Sequence, residues 1–496
     1  LLPFKRTDRR YTVTPFTSNP TELTLLYPLL PLSSIQRGAR FTSQVSRTRF
    51  PTMEQKNMGA VEESRGLFAF FFSEALVQTA NEDSLQREEF SSPDFHEVFR
   101  IIKDCLVETG RQTRLRLEHA TGWNVRRRLS AGCQILHFTG HGCDQFLAFE
   151  AEEPQRCGMM EQLDAGKLKK LFQHGSKPDL VFLESGCSHT HGSELAEVGV
   201  PHVIAVESQT ELPDGIRKSF TKDFYRSLFV DKTTVKEAFD LAVTFVSAKT
   251  CAKGVTFHLF PADGNHEVRL FHDLREGVFV DETPQLPLEF NLPDAKGIYF
   301  GKIELQKAVE LLLDSEACLS FVGERGIGKR ERALQAWNYV RERGGFGFDA
   351  IFYANCVQSD KLDERPSPSK EESHRYTEGV DNRSNVRHRI GLALGMPRES
   401  VPSAQELWDF LVTSTQEKMS AHERMFREAK NTPTKILLLL KGVDALYEGG
   451  GVEERKSLIS FLDELWQISG NIKLLLTCEK QLLENANAPF RSTKEK

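Results

Sequence analysis

From Gly66 onward the chain alternates between short apolar runs and segments whose apolar residues return every three or four positions. GLFAFFF (66–72) is a continuous apolar run, the pattern of a strand buried on both faces. SPDFHEVFRIIKDCLVETG (92–110) has helical spacing between a serine cap signal and a terminal glycine. TRLRLEHA (113–120) alternates as a strand does, and NVRRRLSAG (124–132) reads as a short helix. The same alternation continues with strands at CQILHFTG (133–140), PDLVFLES (178–185) and PHVIAVE (201–207). Helices are expected at 163–175, 192–199, 217–229 and 234–248. Strands separated by helices predict a mainly parallel sheet with helices on both faces.

A second α/β unit is expected from about residue 298. IYFGKIELQKAVELLL (298–313) is a helix with its lead-in, and CLSFV (318–322) is a strand running into GERGIGKR. Further helices are expected at 330–343, 406–419 and 454–469, with strands at FDAIFYANC (348–356), KILLLL (435–440) and IKLLL (472–476). Residues 358–388 are polar and charged without periodicity, so an exposed disordered insertion is expected there. The domain reading is therefore a leader at 1–60, a first domain at 61–275, a linker at 276–296 and a second domain at 297–496.

Composition narrows the function classes. A formal net charge of −6 gives no general attraction to nucleic acid or an anionic membrane, and neither is expected as a partner. No apolar run approaches the ~18 residues of a membrane span. Nine cysteines without CxxC pairs argue against a zinc ribbon or a disulfide framework and favour a reducing, cytoplasmic setting. The first 52 residues hold eight Lys or Arg but only Asp8 and Glu22 as acids. They read as a disordered leader or as sequence upstream of a start at Met53, although a basic, Ser- and Thr-rich leader leaves organelle targeting open.

Candidate chemistry lies at strand ends, where parallel sheets carry their ligands and catalytic groups. ILHFTGHG (135–142) places His141 and Gly142 just past one strand; LVFLESGCSHTHG (180–192) places Cys187 just past another. The two residues are 46 positions apart, close to the ~50 that separate the caspase histidine and cysteine. A thiol of ordinary pKa is only a few per cent thiolate near neutral pH, so a nucleophilic cysteine needs an adjacent base. His141 would take that proton and return it to the leaving amine. The amides of Gly142 and Cys187 would stabilise the oxyanion. His137, inside the strand, reads as a structural, hydrogen-bonded histidine. Cys187, His189 and His191 lie close in sequence but lack zinc-motif spacing, so no metal is expected.

The block from Gly66 to about Phe271 resembles a CHAT domain, the caspase-like module related to separase. The likeness is carried, in order, by FFFSEALV, LEHAT, ILHFTGHG, FLAFEAE, LVFLESGCSH, GVPHVIAV and FTKDFYRSLFVDKTTVKEAFDLA. It implies a caspase-like fold, His141 as base, Cys187 as nucleophile and a cysteine endopeptidase that needs no cofactor and cleaves within a protein chain. It also implies a charged pocket for the residue before the cleaved bond. Glu207 and Asp214 follow VIAV, and Asp214 matches a recurrent family acid, which would favour a basic side chain; the alternative is that ELPDG (211–215) is a solvated turn with no part in specificity. The segment VESQTELPD runs two residues longer than the family pattern and lacks its tryptophan.

GERGIGKR fits GxxxxGK from Gly323 to Lys329, after a strand and before a helix. In that context Gly323, Gly326 and Gly328 let backbone amides cradle phosphates, with Lys329 on the terminal ones. Arg330 stands where a magnesium-ligating Ser or Thr is usual, and would contact phosphate directly. The stretch from Ile298 resembles the nucleotide-binding domain of NB-ARC-type signalling ATPases, through IYFGKIELQKAVELL, KILLLLKGVDAL and IKLLLTCEK. It departs from that family at Lys302, Arg330, Lys441 and Glu479, leaving Asp444 as the nearest Walker B carboxylate. The resemblance implies a module binding ATP or ADP, self-association through it, and a role in cell-death or defence signalling. The departures predict binding without efficient hydrolysis. The winged-helix and repeat regions that follow such a module are missing by Lys496, so the chain reads as truncated.

The expected protein is thus a CHAT-type peptidase gated by a degenerate nucleotide-binding module. An inactive signalling scaffold and a P-loop switch whose main activity is nucleotide binding are the alternatives.

Overall fold

The computed structural model describes residues 64–479, apart from 80–86, 90–93, 209–211, 250–253, 284–285, 295–300, 314–317, 325, 358–385, 398–400, 431 and 447–450. The basic leader and most of the expected insertion lie outside the described residues. The first half runs through β1 (Leu67–Phe72), β2 (Val77–Thr79), β3 (Arg87–Glu89), α1 (His96–Glu108), β4 (Arg114–His119), α2 (Gly122–Ala131) and β5 (Ile135–Thr139). A hairpin of β6 (Leu147–Glu150) and β7 (Met160–Leu163) follows. Then come α3 (Ala165–Gln173), β8 (Leu180–Glu184), α4 (His189–Glu197), β9 (His202–Ser208), α5 (Asp214–Tyr225), α6 (Val235–Ser247), β10 (Val255–Phe260) and β11 (Val280–Asp281).

Every residue of β1 is buried, because this strand sits inside a seven-stranded sheet ordered β10-β9-β8-β5-β1-β4-β11. All neighbours pair in parallel except β10, which runs antiparallel to β9. Successive side chains of a strand point to opposite faces, so β1 serves two cores. Phe68, Phe70 and Phe72 pack with Val98 and Ile102 of α1, Phe220 and Phe224 of α5 and Ala238 of α6. Leu67, Ala69 and Phe71 pack with Val125 of α2, Phe172 of α3 and Leu195 of α4. Local capping fixes several helix starts: Thr121 accepts from Asn124 N, Asp164 from Lys167 N, and Thr234 and Glu237 form a reciprocal box.

The second half contains β12 (Leu288–Phe290), α7 (Lys302–Leu313), β13 (Cys318–Val322), α8 (Lys329–Glu342), β14 (Ala350–Asn355), α9 (Val386–Leu394), α10 (Ala404–Lys418), α11 (Ala421–Lys430), β15 (Ile436–Lys441), α12 (Gly451–Ser469) and β16 (Ile472–Cys478). Its five strands are parallel in the order β12-β14-β15-β16-β13. Helices α9, α10 and α12 cover one face, and α7 with α8 cover the other. Among the described residues no helix is long and apolar enough to cross a membrane.

Several elements depart from the periodicity reading. The expected linker at 276–296 is built into both sheets: β11 pairs with β4, and β12 pairs with β14. Segments of two and three residues carry no readable period, so only their neighbours reveal them. β10 lies on a sheet edge, half-exposed along much of its length, which blurred its alternation. α4 begins at His189, three residues before the helix expected from GSELAEVG. Residues 386–388 of the expected insertion are the first turn of α9, whose Val386 and Ile390 are buried.

The two halves share a core. Leu76, Val77 and Cys157 of the first half pack into the cluster formed by α7, α8 and the second sheet. Beside them lies a buried ion pair. Arg343, just past α8, has no exposed side-chain surface, and Glu150 at the end of β6 is 2% exposed. Arg343 Nη2 donates to Glu150 Oε1 at 2.7 Å and Nε to Oε2 at 2.5 Å, a bidentate geometry. Its Nη1 donates to Tyr339 O at 3.0 Å, and its guanidinium lies 3.4 Å from the centre of the Tyr339 ring. Tyr339 Oη donates to Glu74 O at 3.1 Å. Burial alone would raise the Glu150 carboxyl, but the charge and hydrogen bonds of Arg343 hold it below its ordinary value.

Glu74 shows the opposite outcome. Burial pushes it from 4.5 up to about 8, with Arg343 opposing and Glu342, Glu150 and Asp94 reinforcing the rise. Its folded value exceeds its unfolded one, so the stability it contributes is full below pH 4.5 and is lost as pH rises through about 8. Glu74→Gln removes this loss. The melting temperature of the variant relative to wild type is expected to climb between pH 5 and pH 8.5. Parallel pH curves for the two proteins would contradict this assignment.

Candidate active site and candidate nucleotide loop

β5 and β8 are adjacent parallel strands in which Thr139 pairs with Glu184. His141 and Cys187 therefore leave the sheet from the same end, two and three residues past paired positions. A Cβ on Gly142 would lie 2.5 Å from Ser185 Oγ and 2.8 Å from Leu147 Cδ2, so only glycine lets the two loops approach this closely. His141 O accepts from Ala148 N at 2.9 Å, and Cys143 N donates to Phe146 O at 2.8 Å, which fold the His141 loop back onto β6. On the other side, Ser188 N donates to Val206 O at 2.9 Å, and Cys187 bridges to Glu207. Both His141 and Cys187 are half-buried.

The Cys187 thiol donates to Ser208 O at 3.0 Å, a bond that needs the thiol proton. Burial raises its pKa above the ordinary value, and the nearby Asp144 carboxylate pushes in the same direction. In this arrangement the sulfur is a protonated donor. Cys105, Cys133, Cys157, Cys356 and Cys478 are buried, in keeping with packing roles.

Beneath the two loops lies a polar layer that the sequence reading found only in part. His137 is fully buried, with Nδ1 3.0 Å from Tyr225 Oη and its ring stacked on Phe70, as expected of a structural histidine. Its Nε2 is 3.6 Å from Glu184 Oε2. Glu184 also accepts from Thr139 Oγ1 at 2.7 Å and from Thr221 Oγ1. Burial opposes ionisation of Glu184, yet His137, Arg217 and Thr221 together hold its carboxyl below the ordinary value. Glu184 thus ties the end of β5 to the end of β8 and to α5. The signal for it was a lone acid closing the apolar run LVFLE.

The two acids expected near the substrate have separate placements. Glu207, near the end of β9, is mostly exposed, and its Oε2 lies 2.9 Å from His258 Nε2. Asp214 opens α5, pairs with Arg217 at 2.8 Å and sits where a carboxylate favours a helix start. Residues 209–211, between them, lie outside the described residues. Of the three expected neighbours Cys187, His189 and His191, the last is buried within α4, while His189 turns toward Glu207 and His258.

In the second half the glycine-rich loop joins β13 to α8. Gly323, Gly326 and Gly328 have φ of 154°, 91° and 90°, which side-chain-bearing residues rarely adopt. Lys329 opens α8, and its Nζ donates to the loop's own carbonyls, at Gly323 and, at 2.8 Å, Glu324. Arg330 hydrogen-bonds the Tyr353 side chain of β14, which lowers the phenol's pKa against the larger rise from burial. Asp444 follows β15 and accepts from Glu479 N at 2.6 Å, joining the ends of β15 and β16. The strand order sets β16 between the loop strand β13 and the acid-bearing strand β15.

Compared with protein-family models and with curated proteins, the chain matches none.

Proposed function

We propose that the first half is a CHAT-type cysteine endopeptidase with a Cys187–His141 dyad, and that the second half is a degenerate NB-ARC-like nucleotide-binding module that regulates it. The observation that carries this reading is the contact of Gly142 with Ser185, which brings the loops of His141 and Cys187 together at the carboxyl end of one parallel sheet. The sheet order, with an antiparallel edge strand beyond six parallel ones, is compatible with a caspase-like reading. In the proposed reaction His141 accepts the Cys187 proton and the thiolate attacks the peptide carbonyl. The C–N bond then breaks, the proton passes from His141 to the leaving amine, and water releases the acyl group from sulfur. The amides of Gly142 and Cys187 are the proposed oxyanion donors. Glu207 and Asp214 remain the proposed acids for a basic residue before the cleaved bond.

A panel of fluorogenic peptides with basic or acidic residues before the reporter tests this reading. Wild type is expected to release fluorophore from the basic set and Cys187→Ala from none. Equal signals from the two proteins would end the peptidase assignment. One observation favours a second reading, an inactive scaffold: the thiol is held as a donor to Ser208 O. Under the peptidase reading, bound substrate displaces the thiol from that carbonyl before His141 takes its proton.

For the P-loop the proposal is binding of ATP or ADP with Lys329 transferred from its loop carbonyls to phosphate oxygens. Fluorescent ADP and ATP analogues are expected to bind wild type and to lose binding in Lys329→Ala. Rapid phosphate release, far above the Lys329→Ala background, would contradict the expectation, which rests on Arg330 and Lys441, that hydrolysis is inefficient.

A further inference from the structure

His189, Glu207 and His258 come from three different elements and converge next to Cys187. Each offers one ligand atom, and these atoms all lie within 4.8 Å of one another. His258 and Glu207 are diagonal neighbours on the antiparallel β9–β10 pair, where Ala205 faces His258 and Thr256 faces Glu207. His189, the first residue of α4, completes the group, its ring centroid 4.5 Å from that of His258. Phe260 packs against the His189 ring at 5.1 Å and gives the group an apolar wall. Ligand atoms on one tetrahedral zinc stand about 3.4 Å apart for bonds of ~2.1 Å; Glu207 Oε2 already lies 2.9 Å from His258 Nε2, and side-chain shifts of an ångström or so close the set. Two imidazoles and a carboxylate suit Zn²⁺ rather than Mg²⁺ or Ca²⁺, which prefer oxygen donors.

We infer that His189, Glu207 and His258 form a three-ligand Zn²⁺ site that clamps the start of α4 to the β9–β10 edge around Cys187. The clamp follows from connectivity. His189 lies two residues after Cys187, Glu207 bridges to Cys187 in the backbone, and Ser208 O accepts the thiol. A metal joining both sides fixes the loop between them and holds the thiol on its carbonyl acceptor. Glu207 cannot hold zinc and a basic substrate side chain at once, so with zinc bound Asp214 is left as the proposed substrate acid; the test is independent of the peptidase proposal, because metal stoichiometry and thiol alkylation are read without any substrate.

The test titrates ZnCl₂ into the full chain against a chromophoric chelator, and follows iodoacetamide labelling of Cys187 by peptide mapping. One Zn²⁺ per chain is expected, weakened about tenfold or more in His258→Ala and in His189→Ala. Cys187→Ala is expected to keep the metal. Zinc is expected to slow Cys187 labelling in wild type and to leave it unchanged in His258→Ala. Glu207→Gln, at an exposed position, serves if a histidine variant fails to fold, and is expected to weaken binding likewise. Binding that survives all three ligand variants, or that disappears in Cys187→Ala, would overturn the site; the second result would place the metal on the thiol.

Discussion

Arg343→Ala is expected to destabilise the folded chain by about 3–5 kcal/mol, the cost of leaving a buried charge without its partner. The reason is local to one pair. Glu150 is almost wholly buried and accepts both guanidinium bonds. The same substitution frees Tyr339 O and removes the cation from the Tyr339 and Phe72 rings. Urea unfolding should show a large drop in midpoint. A paired replacement, Arg343→Met with Glu150→Leu, is expected to recover most of the loss, because apolar groups of similar volume substitute well for a buried ion pair. The double-mutant cycle then yields a coupling energy well above that of any exposed pair, such as Lys456 with Glu453. A midpoint unchanged in Arg343→Ala would mean that the halves are not held at this point.

The second large effect concerns catalysis. Under the proposed dyad, His141→Ala is expected to lower kcat for a cleaved peptide by about a thousandfold while changing KM little. The thiol is protonated on Ser208 O, so no thiolate is ready without a base. Cys187→Ala removes the nucleophile and is expected to abolish turnover, and the double variant should be no worse than Cys187→Ala alone. Residues acting as one unit are non-additive in this way. If His141→Ala retained most of the wild-type rate, another group would be the base, and the dyad would be wrong even were Cys187 essential.

Much of the architecture could be read from residue order. The run Leu67–Phe72 is apolar throughout because both faces of β1 are covered, and that burial leaves a pattern any reader can see. Both α/β halves, the strand ends bearing His141 and Cys187, and the loop at Gly323–Lys329 were legible for the same reason: each depends on neighbours within a few positions. His137 was legible as structural because it interrupts a buried strand.

What stayed hidden needed partners far along the chain. Arg343 and Glu150 are 193 residues apart, and each looks like an ordinary surface charge until the fold removes water from both. Two- and three-residue strands turned a supposed linker into an edge of each sheet, through pairings with β4 and β14 that no local period encodes. His258 lies on an edge strand whose pattern was blurred, so its approach to Glu207, 51 residues away, surfaced only in three dimensions. Sequence alone determined two layered α/β units and the strand ends where chemistry can sit, because hydrophobic periodicity is a local property. Only the tertiary structure decided which charges are buried together and what the thiol touches, because desolvation and long-range pairing belong to the packed chain.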